Sequence, residues 1–196
     1  IDDLSTEQLY VTERVNGSPT PRRLIANTHQ GSFQSMFPLS TSPDGKLAAA
    51  IMDKDKGTAF DLYAVDLKGP NTNRVRRVNE NIPAVRPAEV RRMLWSPDSR
   101  WLAFIGDLAT PNVNDLFVAD MSVNTTPTAV NVTRWVAGQS ISFWDVAFTN
   151  DSKNIVFIGD NNPTPAQNPL GVTKQLFFAD LSLAQPTPVM INTPLP

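Results

Sequence analysis

Residues 42–48 read SPDGKLA, and the pattern returns as SPDSRWLA at residues 96–103 and, with substitutions, as TNDSKNIV at residues 149–156. The copies start 54 residues apart (42 to 96) and 53 residues apart (96 to 149). Proline presets φ, aspartate bonds its own backbone and glycine tolerates positive φ, so each copy predicts a tight turn between two strands.

A second motif follows the first in every copy. Residues 61–66 read DLYAVD, residues 115–120 read DLFVAD and residues 175–180 read QLFFAD, with a partial copy, QLYVTE, at residues 8–13. Two motifs that recur in the same order indicate an internal repeat of about 54 residues. A fixed period of this kind is typical of repeat architectures.

Each repeat predicts four short strands, because segments rich in Val, Ile, Leu and aromatic residues alternate with Gly, Pro, Asn and Asp. The third strand of each contains the second motif. The others are predicted at 36–41, 90–95 and 143–148 (first strands), 46–52, 101–105 and 154–158 (second strands), and 74–78, 128–133 and 189–192 (fourth strands). Four antiparallel strands per repeat are the pattern of propeller blades.

The sequence therefore predicts an all-β fold, a β-propeller of four-stranded antiparallel blades with about three and a half blades in this chain. We predict one propeller-type domain, with a half blade at residues 6–28 and blades at about residues 33–81, 88–136 and 141–194. Closed propellers usually have four to eight blades, so we expect the chain to be a fragment of a longer one. The alternative is an open array whose edge strands self-associate.

The SPDGK hairpin followed by DLYxxD resembles the repeat of TolB-like, WD-type β-propellers, which also occurs in tricorn-like and prolyl-oligopeptidase-type proteases. The resemblance covers nearly all of residues 8–193, and the third copy departs from it at Thr149-Asn150. It implies a non-catalytic platform for a protein or peptide partner, in the bacterial periplasm or outside the cell. It also allows an alternative, the substrate-selecting propeller of a serine peptidase whose catalytic domain lies outside this chain.

Composition argues against several kinds of active site. The 196 residues include no Cys, which excludes a thiolate site. They include a single His, His29, so we expect neither a His-based zinc site nor a Ser-His-Asp triad unless another chain contributes. No Gly-x-Ser-x-Gly segment occurs, and the DKDKG segment at residues 53–57 lacks the later acidic ligands of a calcium loop. We expect no catalytic residue, cofactor or metal.

Net charge and hydropathy bear on the class of partner. The net charge is −2 and no stretch of 18 apolar residues is present, so we expect neither nucleic-acid binding nor membrane insertion. Asp66, Asp120 and Asp180 end the three copies of the second motif. We expect each to accept a backbone N–H where the third strand turns into the fourth.

The candidate binding site comes from a cluster of arginines. Six of them fall within the 19 residues 74–92, at Arg74, Arg76, Arg77, Arg86, Arg91 and Arg92. Arg91 and Arg92 begin a predicted innermost strand, near an axial opening, and neighbouring repeats place Phe37, Trp144 and Asp145 at matching positions. Because aromatic residues and arginine are favoured interface anchors, we predict that these five bind the partner. The alternative is a charged outer strand that resists edge pairing.

Overall fold

The structure is a computed structural model that describes residues 10–15, 18–23, 39–52, 59–68, 74–82, 88–134, 140–160 and 174–192. These residues form strands and turns and no helix, so the all-β prediction is confirmed for them. Within the same ranges, no helix is long and apolar enough to cross a membrane. Phe37, His29 and the segment at residues 53–57 lie outside the described residues.

Three four-stranded repeats make up most of the described chain. In each, consecutive strands pair antiparallel. The first repeat has β3 (Leu39–Thr41), β4 (Leu47–Met52), β5 (Ala59–Asp66) and β6 (Val75–Arg77); the second has β7 (Ala88–Trp95), β8 (Trp101–Thr110), β9 (Val113–Asp120) and β10 (Ala129–Asn131); the third has β11 (Ser140–Phe148), β12 (Asn154–Asp160), β13 (Lys174–Asp180) and β14 (Val189–Met190).

A separate hairpin precedes the repeats. In it, β1 (Tyr10–Val15) pairs antiparallel with β2 (Ser18–Arg23), with Val15 opposite Ser18. The predicted half blade at residues 6–28 contains this hairpin. Two residues separate the strands, Asn16 and Gly17, the sequence that most favours a two-residue hairpin turn.

The Ser-Pro-Asp turns are held by the same hydrogen bonds in every repeat. In the first, the Ser42 hydroxyl donates to Asp44 (2.7 Å) and accepts from the backbone N–H of Leu47 (3.0 Å). In the third, Thr149 takes the place of the serine, donating to Asp151 (2.6 Å) and accepting from Asn154 N–H (3.1 Å). The substituted copy therefore folds into the same turn, because threonine keeps the hydroxyl.

A serine in the left-handed conformation links each turn to the one before. Gly45, Ser99 and Ser152 occupy equivalent turn positions, with φ of 66°, 66° and 60°. The Ser99 hydroxyl accepts from the backbone N–H of Asp44 (3.0 Å), and the Ser152 hydroxyl accepts from that of Asp98 (3.0 Å). The repeats are thus tied together at the end that carries these turns, which we name the turn end; the opposite end is the far end.

The core lies between neighbouring repeats. One cluster of buried side chains, including Leu62 and Phe104, spans the first and second repeats, and another, including Leu116 and Phe157, spans the second and third. The first strands lie side by side, since β7 contacts both β3 and β11. At the far end, a short parallel pairing of Ala59 with Ala88 and Phe60 with Glu89 joins the first repeat to the second.

Candidate functional site

The first strands of the second and third repeats are bulged at the far end. In β7, Val90 and Arg92 pair with the consecutive residues Gly106 and Ile105, so Arg91 is an extra residue in the strand. In β11 the register shifts between Ile141 and Val146. Because a bulge bends the strand and redirects side chains, and often lies beside a functional site, these two segments define the candidate site.

Arg91 anchors a small charged cluster in the first of these bulges. Its guanidinium lies 3.3 Å from Asp107 Oδ2 and 3.4 Å from Glu89 Oε2. The Arg91 side chain is 41% exposed, whereas that of Asp107 is 7% exposed. The backbone N–H of Glu89 donates to Asp107 Oδ1 (2.8 Å). Asp107 therefore holds both the backbone of the bulge and the exposed cation.

Gly106 allows the two strands to approach each other at this point. A Cβ atom at position 106 would lie 2.4 Å from the carbonyl oxygen of Glu89, closer than non-bonded heavy atoms can approach. Any side chain there would push β7 away from β8. The sequence therefore needs glycine here to bring Asp107 against the Glu89 backbone.

The structure describes the five predicted site residues unequally. Arg91 is exposed, and Arg92 and Asp145 are half-buried. Trp144 lies in the bulged part of β11, where the backbone alone is described, and Phe37 is outside the described residues. The backbone thus places Arg91, Arg92, Trp144 and Asp145 at the far end of two neighbouring first strands, while their joint role in binding stays a prediction.

The arginine cluster divides into two groups with different contacts. Arg74 and Arg76 donate to backbone carbonyls of the second repeat, Arg74 to Asn124 and Arg76 to Val123 (2.8 Å) and Thr125 (3.2 Å). Arg77 pairs with the buried carboxylate of Asp61 at 2.8 Å. These three arginines therefore stabilise the fold, a role that the sequence interpretation missed because their partners are distant in sequence. Arg86 is outside the described residues.

The expectation for the third-strand aspartates is confirmed at two positions. Asp120 accepts from Ser122 N–H (3.0 Å) and Asp180 from Ser182 N–H (2.8 Å). Partial burial would raise the pKa of Asp120, but hydrogen bonds from Arg100 and Ser122 outweigh it and lower that pKa. Asp66 differs, because Arg76 donates to it instead (3.2 Å).

A further recurring contact escaped the sequence interpretation. A polar side chain after each fourth strand accepts from the backbone N–H of the leucine in the second motif: Asn79 from Leu62 (3.1 Å), Thr133 from Leu116 (3.0 Å) and Asn192 from Leu176 (2.6 Å). The available signal was the recurrence of Val78-Asn79, Val132-Thr133 and Ile191-Asn192 at one repeat position.

The far-end cluster can recognise charged or hydrogen-bonding groups. Arg91 offers exposed N–H donors, and Glu89 is a partly exposed acceptor beside it. Groups of three or more potential metal ligands are absent from the described part of the chain. The described far-end groups are thus one cation and two carboxylates, Arg91 with Glu89 and Asp107, of which Asp107 is buried.

Comparison with solved structures places the fold. The chain is similar to a puromycin hydrolase (13% identity, TM-score 0.51, 86% of this chain, 23% of that one). It is also similar to an oligogalacturonate lyase in complex with manganese (16% identity, TM-score 0.50, 85% of this chain, 37% of that one). Its structural neighbours are propeller-type proteins.

A protein described as TolB from Agrobacterium tumefaciens also matches, with 14% identity and a TM-score of 0.45, over 91% of this chain and 59% of its own length. This chain therefore spans less than two thirds of each of these proteins. No protein-family model matches the chain, and no curated protein matches it in sequence. The matches with TM-scores of 0.50 and 0.51 support a propeller-type fold, and membership of the TolB-like repeat family stays a prediction.

Proposed function

We propose that the chain is a partial β-propeller of about three and a half blades that acts as a non-catalytic platform for a protein or peptide partner. The observation that supports this most directly is the exposed Arg91, held on a bulge by the buried carboxylate of Asp107 at 3.3 Å. Interfaces favour arginine anchors that are fixed before binding, because less side-chain entropy is then lost. The repeat motifs support a periplasmic or extracellular bacterial location by resemblance.

The test is photo-crosslinking from the far end. A photoreactive amino acid at the exposed far-end position 109, which leaves Arg91 in place, should capture a discrete partner in extracts of the source cell. The Arg91→Ala, Arg92→Ala, Trp144→Ala variant should recover at least tenfold less of that partner in a pull-down. Lys153→Ala is the matched control, since it removes one exposed cation at the turn end. Equal recovery by the triple variant and the control would overturn the far-end site.

The alternative proposal is the propeller part of a serine peptidase. The similarity to a puromycin hydrolase supports it, because the matched region is 23% of that chain, leaving most of it for other domains. A fluorophosphonate probe separates the two proposals. Labelling of a native polypeptide that contains this sequence would favour the peptidase, and its absence from purified native protein would favour the platform.

We also propose that the edge strand β14 contributes to weak self-association. Val189, Met190 and Ile191 are all exposed, on β14 and directly after it, and exposed strand edges with apolar side chains favour pairing with another chain. Sedimentation of the protein and of a Val189→Lys variant tests this, since the charge should shift the distribution towards monomer.

A further inference from the structure

The junction between the first and second repeats contains a bound arginine side chain. Arg76, on β6, is 4% exposed, and its guanidinium reaches the loop that follows β9. It donates to the carbonyl oxygens of Val123 (2.8 Å) and Thr125 (3.2 Å) and pairs with Asp66 (3.2 Å). Arg74 donates to the carbonyl of Asn124, between them. One junction therefore shows how this fold binds a guanidinium group.

The next junction has the same backbone without the arginines. Arg76 is paired with Ala64, and the residue in the same register of the second repeat is Val130, paired with Val118. The position of Arg74 is taken by Thr128. The loop at residues 181–185 has the same succession of turns and bends as the loop at 121–125, so it presents the corresponding carbonyl groups.

A cavity of about 310 Å³ occupies this second junction. It is lined by Thr128 and Val130 of the second repeat and by Leu183 and Ala184 of the third. Arg100, Trp101 and Asp120 also line it. Its volume is in the range of small-ligand sites. The cavity thus lies where the first junction holds the side chains of Arg74 and Arg76.

We propose that this cavity binds an arginine side chain of a partner polypeptide in the manner of Arg76. The apolar walls suit the methylene stem, and the loop carbonyls together with the carboxylate of Asp120 accept from the guanidinium. A guanidinium already stacks on the aromatic wall, since Arg100 lies 4.7 Å from the centre of the Trp101 ring. Arginine is preferred over lysine because its planar fork can donate to several acceptors at once.

The first repeat also shows how Asp120 becomes available. Asp120 now accepts from Arg100 at 2.7 and 3.0 Å, and Arg100 is exposed. In the first repeat the equivalent of Arg100 is Lys46, which pairs instead with Asp44 of its own turn at 3.0 Å. The incoming arginine then donates to Asp120, as Arg76 donates to Asp66. Arg100 in turn pairs with Asp98, the equivalent of Asp44.

This site rests on the proposed function only in that both treat the chain as a binding platform. The cavity lies at the turn end, where Trp101 pairs with Asp120, whereas Arg91 lies at the far end, where Val90 pairs with Gly106. If the cavity does not bind arginine, the yield of far-end crosslinking is unchanged. If crosslinking at the far end captures no partner, the affinity of the cavity for an arginine probe is unchanged.

The first test uses isothermal titration calorimetry on the whole chain to compare two amino-acid probes whose amino and carboxyl groups are both blocked. N-acetyl-arginine amide should bind at least tenfold more tightly than N-acetyl-citrulline amide, which has almost the same shape without the charge. Equal affinities, or no binding of the arginine probe, would overturn the proposal. This comparison uses the unaltered protein, so it does not depend on a variant that folds.

The second test fills the cavity from within. Val130→Arg supplies the side chain that the first junction has, so it should weaken binding of the arginine probe at least tenfold. Leu39→Arg is the control, since it introduces an arginine at an exposed strand position of the first repeat that does not line the cavity, and it should alter affinity by less than twofold. Unchanged affinity in a folded Val130→Arg protein would contradict the site.

Discussion

Asp44 shows how one residue holds a turn together. Its Oδ1 accepts from the Ser42 hydroxyl (2.7 Å) and the backbone N–H of Lys46 (3.0 Å), and its Oδ2 lies 3.0 Å from Lys46 Nζ. Partial burial alone would raise the pKa of Asp44, but these donors outweigh it and lower the pKa to about 2. The charged form is therefore the one that the folded turn stabilises.

This lowered pKa predicts a specific loss of stability in acid. The folded pKa of about 2 lies below the ordinary value of 3.8, so the Asp44 carboxylate stabilises the fold above pH 3.8 and loses that contribution as the pH falls to about 2. The difference in unfolding free energy between the protein and its Asp44→Asn variant should be constant from pH 5 to 7 and shrink across that window.

Urea unfolding at closely spaced pH values measures this difference. Ser42→Ala serves as a comparison, because it removes a donor that lowers the pKa of Asp44; in that background the shrinkage should still begin near pH 3.8, but it should be smaller and end at a higher pH. A free-energy difference between protein and Asp44→Asn that stays flat from pH 2 to 6 would contradict the assignment.

At the scale of the strand, the paired aromatic residues of the second and third strands form the centre of each junction. Phe104 and Phe117 are registered partners whose rings stack at 5.3 Å with an interplanar angle of 13°. Phe157 and Phe177 repeat the arrangement at 5.4 Å and 16°. Phe104 and Phe117 are at most 1% exposed, so truncating one leaves a cavity that neighbouring strands cannot fill.

Phe117→Ala should therefore lower the free energy of unfolding by about 3–5 kcal/mol. Phe117→Leu keeps most of the volume and should cost clearly less, which separates the cavity effect from general disruption of β9. Denaturant titration followed by tryptophan fluorescence measures both. A cost below about 1 kcal/mol for Phe117→Ala would show that the junction repacks and that the stacked pair is not its centre.

Sequence reasoning located the strands well because their signals are local. The Ser-Pro-Asp turns fix the ends of β7 and β8, and the second motif coincides with β5, β9 and β13. It placed the end of β8 at residue 105, whereas the strand runs to Thr110. The extension exists because β8 and β9 are joined by a two-residue turn, in which Asn112 has a φ of 59°; asparagine tolerates that conformation.

Contacts between repeats could not be predicted from the sequence, for a physical reason. The partners of Arg76 are backbone carbonyls 47 and 49 residues away, and any residue type carries such a group. A run of arginines predicts positive charge, but its burial depends on how the neighbouring repeat docks. The far-end residues were predicted because they recur in register, and their role stays a prediction, whereas the junction arginine and the cavity lined by Val130 depend on differences between repeats.

At the scale of the whole molecule, stability depends on how strongly neighbouring repeats are coupled. In repeat proteins the total is approximately a sum of repeat and interface terms, so one weak interface lets the parts unfold separately. Arg76 crosses the first interface with its charge almost fully buried. Burial lowers the pKa of the Arg76 guanidinium and the charge of Asp66 raises it. The ion pair with Asp66 therefore stabilises the charged guanidinium in its buried position.

Arg76→Met should therefore uncouple the first repeat from the second. Methionine keeps the apolar stem but leaves Asp66 without its cation and the carbonyls of Val123 and Thr125 without their donor, at a cost of about 3 kcal/mol. Tryptophan fluorescence reports on residues 95–144, because all four tryptophans lie there. Unfolding followed by this signal should then separate from unfolding followed by hydrogen exchange in β4 and β5.

Lys46→Met is the control, since it removes an exposed cation of the same repeat and should leave the two transitions coincident. Coincident transitions in Arg76→Met would mean that the apolar cluster around Leu62 and Phe104 couples the repeats without the arginine.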